Sequence, residues 1–390
     1  MRSEIMIGSM QKIDKGLPGG IPLLLLSSFV VFFIGAFQNT MNGMLTSASA
    51  SRVSRYLIHL TQTKSHLAIQ RCRQNSTQTS SQPFRSLLYV PASNTRALEK
   101  VSTFQGSNQP DAIMLDLEDG VAPTSKDSAR ENLVKYFQRD DDGSSIFPIV
   151  RINSVDSPWF IDDISAVAQL VESDASIAVC LPKIECLDDI EFVSKELRDR
   201  CGHGGKDSIS NAAEKKASPN SPIPLWPMIE TPRAILTSLS ISSHPSINGL
   251  ILGTNDLSKC LNIEIGQGTR EGLTTQKAND KVVIDGVYNN FHDGEGLHRE
   301  CIQGKRWGME DGKTLIYPSQ VQTANEVFAP SDEEVEHARR VIACWEEASK
   351  KKDFTGVAVL EGSGMIEELH AKSARTLLGR AEKIAQMGNN

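Results

Sequence analysis

Two apolar runs end on carboxylates. Pro224-Leu-Trp-Pro-Met-Ile-Glu230 stops on Glu230, and Gly249-Leu-Ile-Leu-Gly-Thr-Asn-Asp256 stops on Asp256. A buried strand that ends on Glu or Asp brings a hard oxygen donor to the rim of a parallel sheet, and two successive strands bring two. Two protein carboxylates, completed by waters or substrate oxygens, suit Mg²⁺. The plainer reading is that each acid caps the helix after it, since Thr231-Pro232 is itself a helix start. A third run, Phe147-Pro-Ile-Val-Arg151-Ile-Asn153, carries an arginine within apolar sequence. Its fork suits a substrate carboxylate or an enolate oxygen, or else a structural acid. Asp116-Leu-Glu118-Asp119 places three acids in four residues. Such acids raise one another's pKa unless a cation is near. Asp116 or Glu118 is expected to face inward and orient water around the ion, with Asp119 toward the next loop.

Two further segments carry weaker signals. Tyr89-Val-Pro91-Ala-Ser-Asn94-Thr-Arg96-Ala-Leu-Glu-Lys100 runs from a strand into a helix. Amides at that helix start, with Arg96 and Lys100, suit a phosphate; an ordinary capped helix with solvated charges is the alternative. Gly362-Ser-Gly-Met-Ile366-Glu367-Glu368-Leu-His370 opens the last helix, and its acids complement the helix dipole. The chain contains neither GxGxxG nor GxxxxGK[ST], so a dinucleotide or P-loop site is unsupported.

The elements that must position these residues alternate. Apolar runs at 86–91, 112–119, 147–153, 177–185, 224–231, 249–256, 282–290 and 313–318 lack period-two alternation, which predicts strands buried on both faces. Helical spacing fills the intervals. Ser157-Pro158 and Thr231-Pro232 read as N-cap plus first-turn proline, and Ser331-Asp-Glu-Glu334 as a capping box. About eight such units predict an α/β fold, a TIM (β/α)8 barrel, over 83–330. Residues 331–390 are expected to form C-terminal helices. The polar stretch 199–222 reads as an insertion, and the helix after the sixth strand as stunted.

Composition bounds the partners. The net charge is −7, yet residues 1–82 are basic, which leaves −13 on residues 83–390. An acidic body argues against nucleic acid. Seven scattered cysteines without CxxC spacing predict a reducing compartment and no structural zinc. Residues 1–82 read as a targeting segment outside the fold. Gly20 to Phe37 is apolar and uncharged, and Asn39 to Arg85 lacks Asp and Glu while being rich in Ser, Thr, Gln and spaced arginines. That composition predicts a transit peptide to the mitochondrial matrix, with a bipartite plastid signal as the alternative and no stable membrane association.

Taken together, Arg85-Ser-Leu-Leu-Tyr-Val-Pro, Leu115-Asp-Leu-Glu-Asp-Gly-Val-Ala-Pro, Val150-Arg-Ile-Asn, Leu181-Pro-Lys-Ile-Glu, Met228-Ile-Glu-Thr-Pro-Arg, Gly253-Thr-Asn-Asp-Leu and Gly312-Lys-Thr-Leu-Ile-Tyr-Pro-Ser-Gln resemble the citrate lyase β-subunit-like CoA-ester lyases of the HpcH/HpaI aldolase superfamily. The resemblance covers roughly 85–386 and is closest to the citramalyl-CoA and malyl-CoA lyase types. It implies a TIM barrel, Mg²⁺, a CoA thioester with a 2-oxo acid, and a homo-oligomer, commonly a trimer or hexamer. By motif, Glu230 and Asp256 match the metal ligands, and Arg151 the arginine on the oxo acid or enolate. Tyr89, Lys100 and Pro318 fall where the family grips CoA. The family's arginine in that helix start is Asn94 here, so Arg96 stands as a substitute. Glu367 replaces the usual aspartate of a C-terminal lid that crosses to a neighbouring subunit, and Tyr317 stands where histidine is usual. The expected reaction is reversible C–C cleavage of a 3-hydroxyacyl-CoA. Malyl-CoA thioester hydrolysis, malate-synthase-like condensation plus hydrolysis, and a CoA-ester-binding protein without turnover are the alternatives.

Overall fold

A computed structural model of the chain describes residues 83–139, 146–173, 175–201, 223–262, 279, 281–351, 354–362 and 364–387. The expected targeting segment over 1–82 and most of the insertion expected over 199–222 lie outside these residues. Eight parallel strands form one sheet in the order β7-β6-β5-β4-β3-β2-β1-β8. They are β1 (Ser86–Pro91), β2 (Ala112–Asp116), β3 (Phe147–Arg151), β4 (Ala178–Leu181), β5 (Leu225–Ile229), β6 (Gly249–Leu252), β7 (Val282–Ile284) and β8 (Lys313–Leu315). Helices follow them: α1 (Thr95–Val101), α2 (Lys126–Phe137), α3 (Phe160–Glu172), α4 (Leu187–Arg200), α5 (Pro232–Ser242), α6 (Thr254–Leu261), α7 (Gly294–Arg306) and α8 (Val321–Phe328). Uninterrupted apolar strands are what this arrangement demands, because one face meets the barrel axis and the other the helices. Leu87, Met114, Ile149, Cys180, Trp226, Met228 and Ile251 fill the interior. Their neighbours Leu88, Ile113, Val150, Val179, Leu225 and Leu250 pack beneath the helices.

Closure depends on a narrow seam. β1 pairs with β8 over three residues. β7 meets β8 through the bridge Asp285↔Lys313, reinforced by Thr314 N–H donating to Asp285 O at 2.9 Å. Inside that seam Lys313 Nζ lies 2.8 Å from Asp285 Oδ2 and 3.3 Å from Glu300 Oε2, with the Lys313 and Asp285 side chains fully buried. Gly312, at φ +115°, is held where a Cβ would come within 2.8 Å of the Arg85 backbone. Only glycine suits that backbone and that contact.

Beyond the barrel, α9 (Asp332–Ser349), the antiparallel pair β9 (Ala358–Leu360) and β10 (Gly364–Ile366), and α10 (Glu368–Met387) share a small core of Ala338, Val341, Ala358, Ile366 and Ala374. Arg380 of α10 donates through Nη2 to the carbonyls of Phe84 (2.9 Å), Glu310 (2.9 Å) and Phe328 (3.3 Å). Phe84 and Glu310 precede β1 and β8, so this staple grips the end of the barrel away from the strand C-termini.

Several local expectations meet the structure well. The Ser331–Glu334 capping box forms, and Thr231 accepts from Ala234 N–H ahead of Pro232. Others are corrected. Ser157-Pro158 forms a turn, and α3 begins at Phe160, two residues later. The helix α5 buries Ala234, Ser238, Ile241 and Ser242 and leaves the apolar Leu236 86% and Leu239 51% exposed. The sixth helix is short, eight residues, and ends where Asn262 takes a left-handed conformation (φ 54°, ψ 46°), a helix-terminating geometry.

The seam yields a test. Asp285→Asn leaves a fully buried ammonium facing an amide, which costs about 3–5 kcal/mol for a broken buried pair. Urea unfolding should therefore show a markedly lower midpoint, and an unchanged midpoint would mean that the seam does not depend on this pair.

Candidate active site

Parity along the strands decides which polar residues enter the barrel. Met114, Ile149 and Met228 face the axis. Asp116, Arg151 and Glu230, each two residues further on, therefore share that face at the C-terminal ends of β2, β3 and β5. All three are buried, with exposures of 2%, 7% and 4%. Rim charges at this end of a barrel are where such folds carry their chemistry.

Arg151 organises one side of the mouth. Its Nε and Nη2 donate to Asp116 Oδ1 and Oδ2, each at 2.7 Å, a two-toothed pair. Nη1 lies 2.9 Å from Glu118 Oε2, and the guanidinium stacks 4.9 Å from the Tyr89 ring. Burial alone would lower the Arg151 pKa, but Tyr89, Asp116 and Glu118 carry it well above its ordinary value. Asp116 also accepts from the backbone N–H of Glu118 and Gly120, both at 2.9 Å. A Cβ on Gly120 would come within 2.4 Å of Asp116 Oδ2, so the turn can wrap the carboxylate only as glycine. Asp116 is thus saturated as a structural acceptor. Burial pushes the Glu118 carboxyl up, opposed by Arg151 and Lys183, and its Oε2 is buried without a hydrogen bond of good geometry.

Glu230 is the other focus. Burial pushes its carboxyl up to about 7, against the stabilising N–H of Lys183, which donates to Oε2 at 2.8 Å. Glu118 and Asp256 push in the same direction as burial, and Arg151 opposes them. A Cβ on Gly253 would meet Glu230 Cγ at 2.2 Å, so glycine is what lets the side chain lie across the end of β6. Asp256 corrects the expectation of a second strand-end acid. β6 stops at Leu252, and Asp256 is the third residue of α6, half-buried, in the first turn. Thr254-Asn-Asp starts a helix at once, and an acid is favourable at that helix position. The carboxylate still reaches the site, because Glu230 and Asp256 line one cleft of about 1170 Å³ with Asp119, Lys183, Arg233 and Lys259.

The two carboxylates fit a hard divalent cation. Glu230 carries one backbone donor and no paired side-chain cation among its described hydrogen bonds and ion pairs. Among the described residues no cluster of three or more metal-ligating side chains forms. A two-carboxylate set with room for waters is the kind of site Mg²⁺ uses.

Lys183, inside the Leu181-Pro-Lys-Ile-Glu motif, lines the cleft unforeseen by sequence reasoning. Its φ is +54°, rare for a residue with a side chain. That conformation accompanies the amide on Glu230, while Nζ donates to Glu118 Oε1 at 2.6 Å and lies 3.6 Å from Asp119 Oδ1. Burial opposes its charge, but the Glu118 bond and neighbouring acids push its pKa up to about 12. A lysine directly after a strand-ending Leu181-Pro was the available signal. A second unforeseen group sits behind the acids. Buried Lys126 donates to Leu117 O (2.7 Å), Glu118 O (2.8 Å) and Asn153 Oδ1 (2.7 Å). Asn153 in turn donates to Asp163, and Arg130 holds Asp163 at 2.9 Å. This network fixes the loop that presents Glu118.

The remaining expected residues lie elsewhere. Tyr89 is in the barrel interior, its hydroxyl 3.8 Å from Met228 Sδ, and burial raises its pKa. Arg96 and Lys100 are exposed on α1, whose N-terminus Asn94 caps through Ala97 N–H at 3.1 Å. Pro318 begins the turn after β8, the strand beside β1, and none of these four residues is among the described residues that line the Glu230 cleft. Glu367 follows β10, its amide donating to His370 Nδ1 at 3.0 Å, and is not among the described residues that line the cleft.

The chain is similar to several known proteins. The HpcH/HpaI aldolase/citrate lyase family matches residues 85–318. A (3S)-malyl-CoA thioesterase of Cereibacter sphaeroides is 39% identical over 313 residues, spanning 78% of this chain and 97% of its own. An L-malyl-CoA/beta-methylmalyl-CoA lyase of the same species is 28% identical over 330 residues, spanning 78% and 96%. The CitE protein of Mycobacterium tuberculosis, solved with magnesium, acetoacetate and coenzyme A, shares the fold at a TM-score of 0.56 and 24% identity, covering 78% of this chain and 99% of that one. The barrel, its charged mouth and the 85–318 match lead to one conclusion: this chain belongs to the HpcH/HpaI aldolase/citrate lyase family of carbon–carbon lyases.

Proposed function

We propose that this protein is a Mg²⁺-dependent CoA-ester lyase that reversibly cleaves a 3-hydroxyacyl-CoA, malyl-CoA or citramalyl-CoA, into acetyl-CoA and glyoxylate or pyruvate. The observation that carries the reading is Glu230, a carboxylate buried at the barrel mouth and facing the same cleft as Asp256. These two residues would hold the ion. When bound, Mg²⁺ supplies Lewis-acid polarisation of the substrate hydroxyl and carboxylate oxygens. Arg151, kept protonated by Asp116, adds fixed positive charge beside the oxygen that becomes anionic as the C–C bond breaks. The hydroxyl proton leaves as that carbon becomes a carbonyl, and the bonding pair stays with the acetyl-CoA enolate, whose carbon is then protonated. Glu367 serves one of these proton transfers.

Because Glu367 lies on the β9–β10 element and outside the described cleft lining, it acts on the cleft of a neighbouring copy in a homo-oligomer. The exposure of Val359 (77%), Met365 (58%) and Leu369 (58%) around it supports a covering partner. The CoA moiety lies toward Tyr89, Arg96, Lys100 and Pro318 on the β1/β8 side. The composition of residues 39–85 supports import into the mitochondrial matrix.

A hydrolytic reading has its own support, the 39% identity to a protein named (3S)-malyl-CoA thioesterase. Product analysis separates the two. With Mg²⁺ and malyl-CoA or citramalyl-CoA, the lyase yields acetyl-CoA plus a 2-oxo acid, whereas hydrolysis yields free CoA. Glu230→Ala and Asp256→Ala should each lower Mg²⁺-dependent turnover by at least about a hundredfold, some 3 kcal/mol of transition-state stabilisation; full turnover in either would reject the assignment.

The raised Glu230 pKa sets a pH dependence. A carboxyl whose folded pKa lies near 7 rather than its ordinary 4.5 keeps its proton longer in the native state. Its contribution is present in full below pH 4.5 and is lost as pH rises through about 7. Without divalent ions, wild type should lose roughly 3 kcal/mol or less relative to Glu230→Gln between pH 5 and pH 8. Urea denaturation in EDTA at the two pH values measures this, and parallel pH profiles for the two proteins would contradict it.

A further inference from the structure

The cations around the cleft differ in what they have left to give. Arg151 directs Nε and Nη2 at Asp116 and Nη1 at Glu118, with Tyr89 against its face. Lys126 has all three donors engaged by Leu117 O, Glu118 O and Asn153. Arg233 is 72% exposed and pairs with Glu185 at 3.5 Å. Lys259 also lines the cleft, exposed on α6. Lys183 is the cleft cation bonded to the acids at the mouth. Among the described residues its ammonium makes one hydrogen bond, to Glu118 Oε1 at 2.6 Å, with Asp119 at ion-pair distance, and its side chain is 42% exposed as part of the cleft lining. Two of its three N–H donors remain for a ligand. Its own backbone amide holds Glu230, so the ammonium is tied by a single residue's length to the carboxylate at the mouth. The left-handed backbone at Lys183 is a local cost of the kind that clusters at functional sites.

We propose that Lys183 binds the substrate's own carboxylate: its backbone amide orients Glu230, and its ammonium, braced by Glu118, receives the free carboxylate of the 2-oxo acid or of the 3-hydroxyacyl unit. This rests on the CoA-ester lyase reading and adds a specificity-determining residue to it. Arg151, buried and held by Asp116, Glu118 and the Met228 sulfur, supplies field, while Lys183 supplies the contact that distinguishes an acid from a neutral analogue. Glu118 acts as a positioning residue that keeps the ammonium over the cleft.

Calorimetric titration tests this without turnover. Pyruvate and its methyl ester are titrated into the full-length protein with saturating Mg²⁺. Wild type should prefer the acid over the ester. Lys183→Met should weaken pyruvate at least about tenfold, leave the ester unchanged and so erase the preference, and Lys183→Arg should restore part of it. A purely structural role would weaken both ligands alike. Lys183→Gly suits the left-handed backbone and keeps the amide on Glu230, so it supplies the same comparison if Lys183→Met folds poorly. Retained preference in both variants, or its loss in Lys259→Met with Lys183→Met unaffected, overturns the assignment. If wild type binds neither pyruvate nor glyoxylate, the lyase reading falls, and this assignment with it.

Discussion

A carboxylate buried at the mouth of a closed barrel has few ways to stay charged. Glu230 is 4% exposed, sits near Glu118 and Asp256, and receives one backbone N–H. Burial and like charge favour its proton, and the Lys183 N–H and the Arg151 charge oppose them without restoring the ordinary value. The geometry does not relax this constraint. Gly253 lets the side chain lie over β6, and Lys183 accepts an uncommon backbone conformation alongside the amide it gives to Glu230. The chain therefore maintains an unfavourable acid at one point of the rim, which makes sense if a divalent ion is the intended partner.

The opposite flank is built in the contrary way. Asp116 and Arg151 form a two-toothed pair, and the amides of Glu118 and Gly120 wrap the carboxylate. Behind them Lys126, Asn153, Asp163 and Arg130 form a buried network whose members hold the loop carrying Glu118. A fully satisfied network of this kind is stiff, because each broken bond strands a desolvated partner. One side of the mouth is thus rigid and neutralised, and the other is left wanting charge.

Much of this was legible in sequence. The parity of Met228 and Glu230 on one strand, or of Ile149 and Arg151 on another, needs only alternation and an apolar run. So did the barrel itself, from eight doubly buried strands. Asp256 stands in a helix and not at a strand end, because an apolar run followed by Gly-Thr-Asn-Asp does not reveal where the strand yields to the helix. The exposure of Leu236 and Leu239 shows a second limit, since helical spacing says that residues share a face but not that the face is covered. Lys183 and the Lys313–Asp285 seam were not foreseen for a different reason. Their importance lies in contacts with residues 65 and 28 positions away, which local spacing cannot encode.

The central claim is that Glu230 and Asp256 share one divalent ion whose binding competes with a proton on Glu230. Titrating the purified protein with Mn²⁺ and reading the free ion by electron paramagnetic resonance tests it directly. One site per chain is predicted, with affinity that strengthens as pH rises through about 7 and is lost in Glu230→Gln. Binding that ignores both the pH and the substitution would place the ion elsewhere and contradict the account.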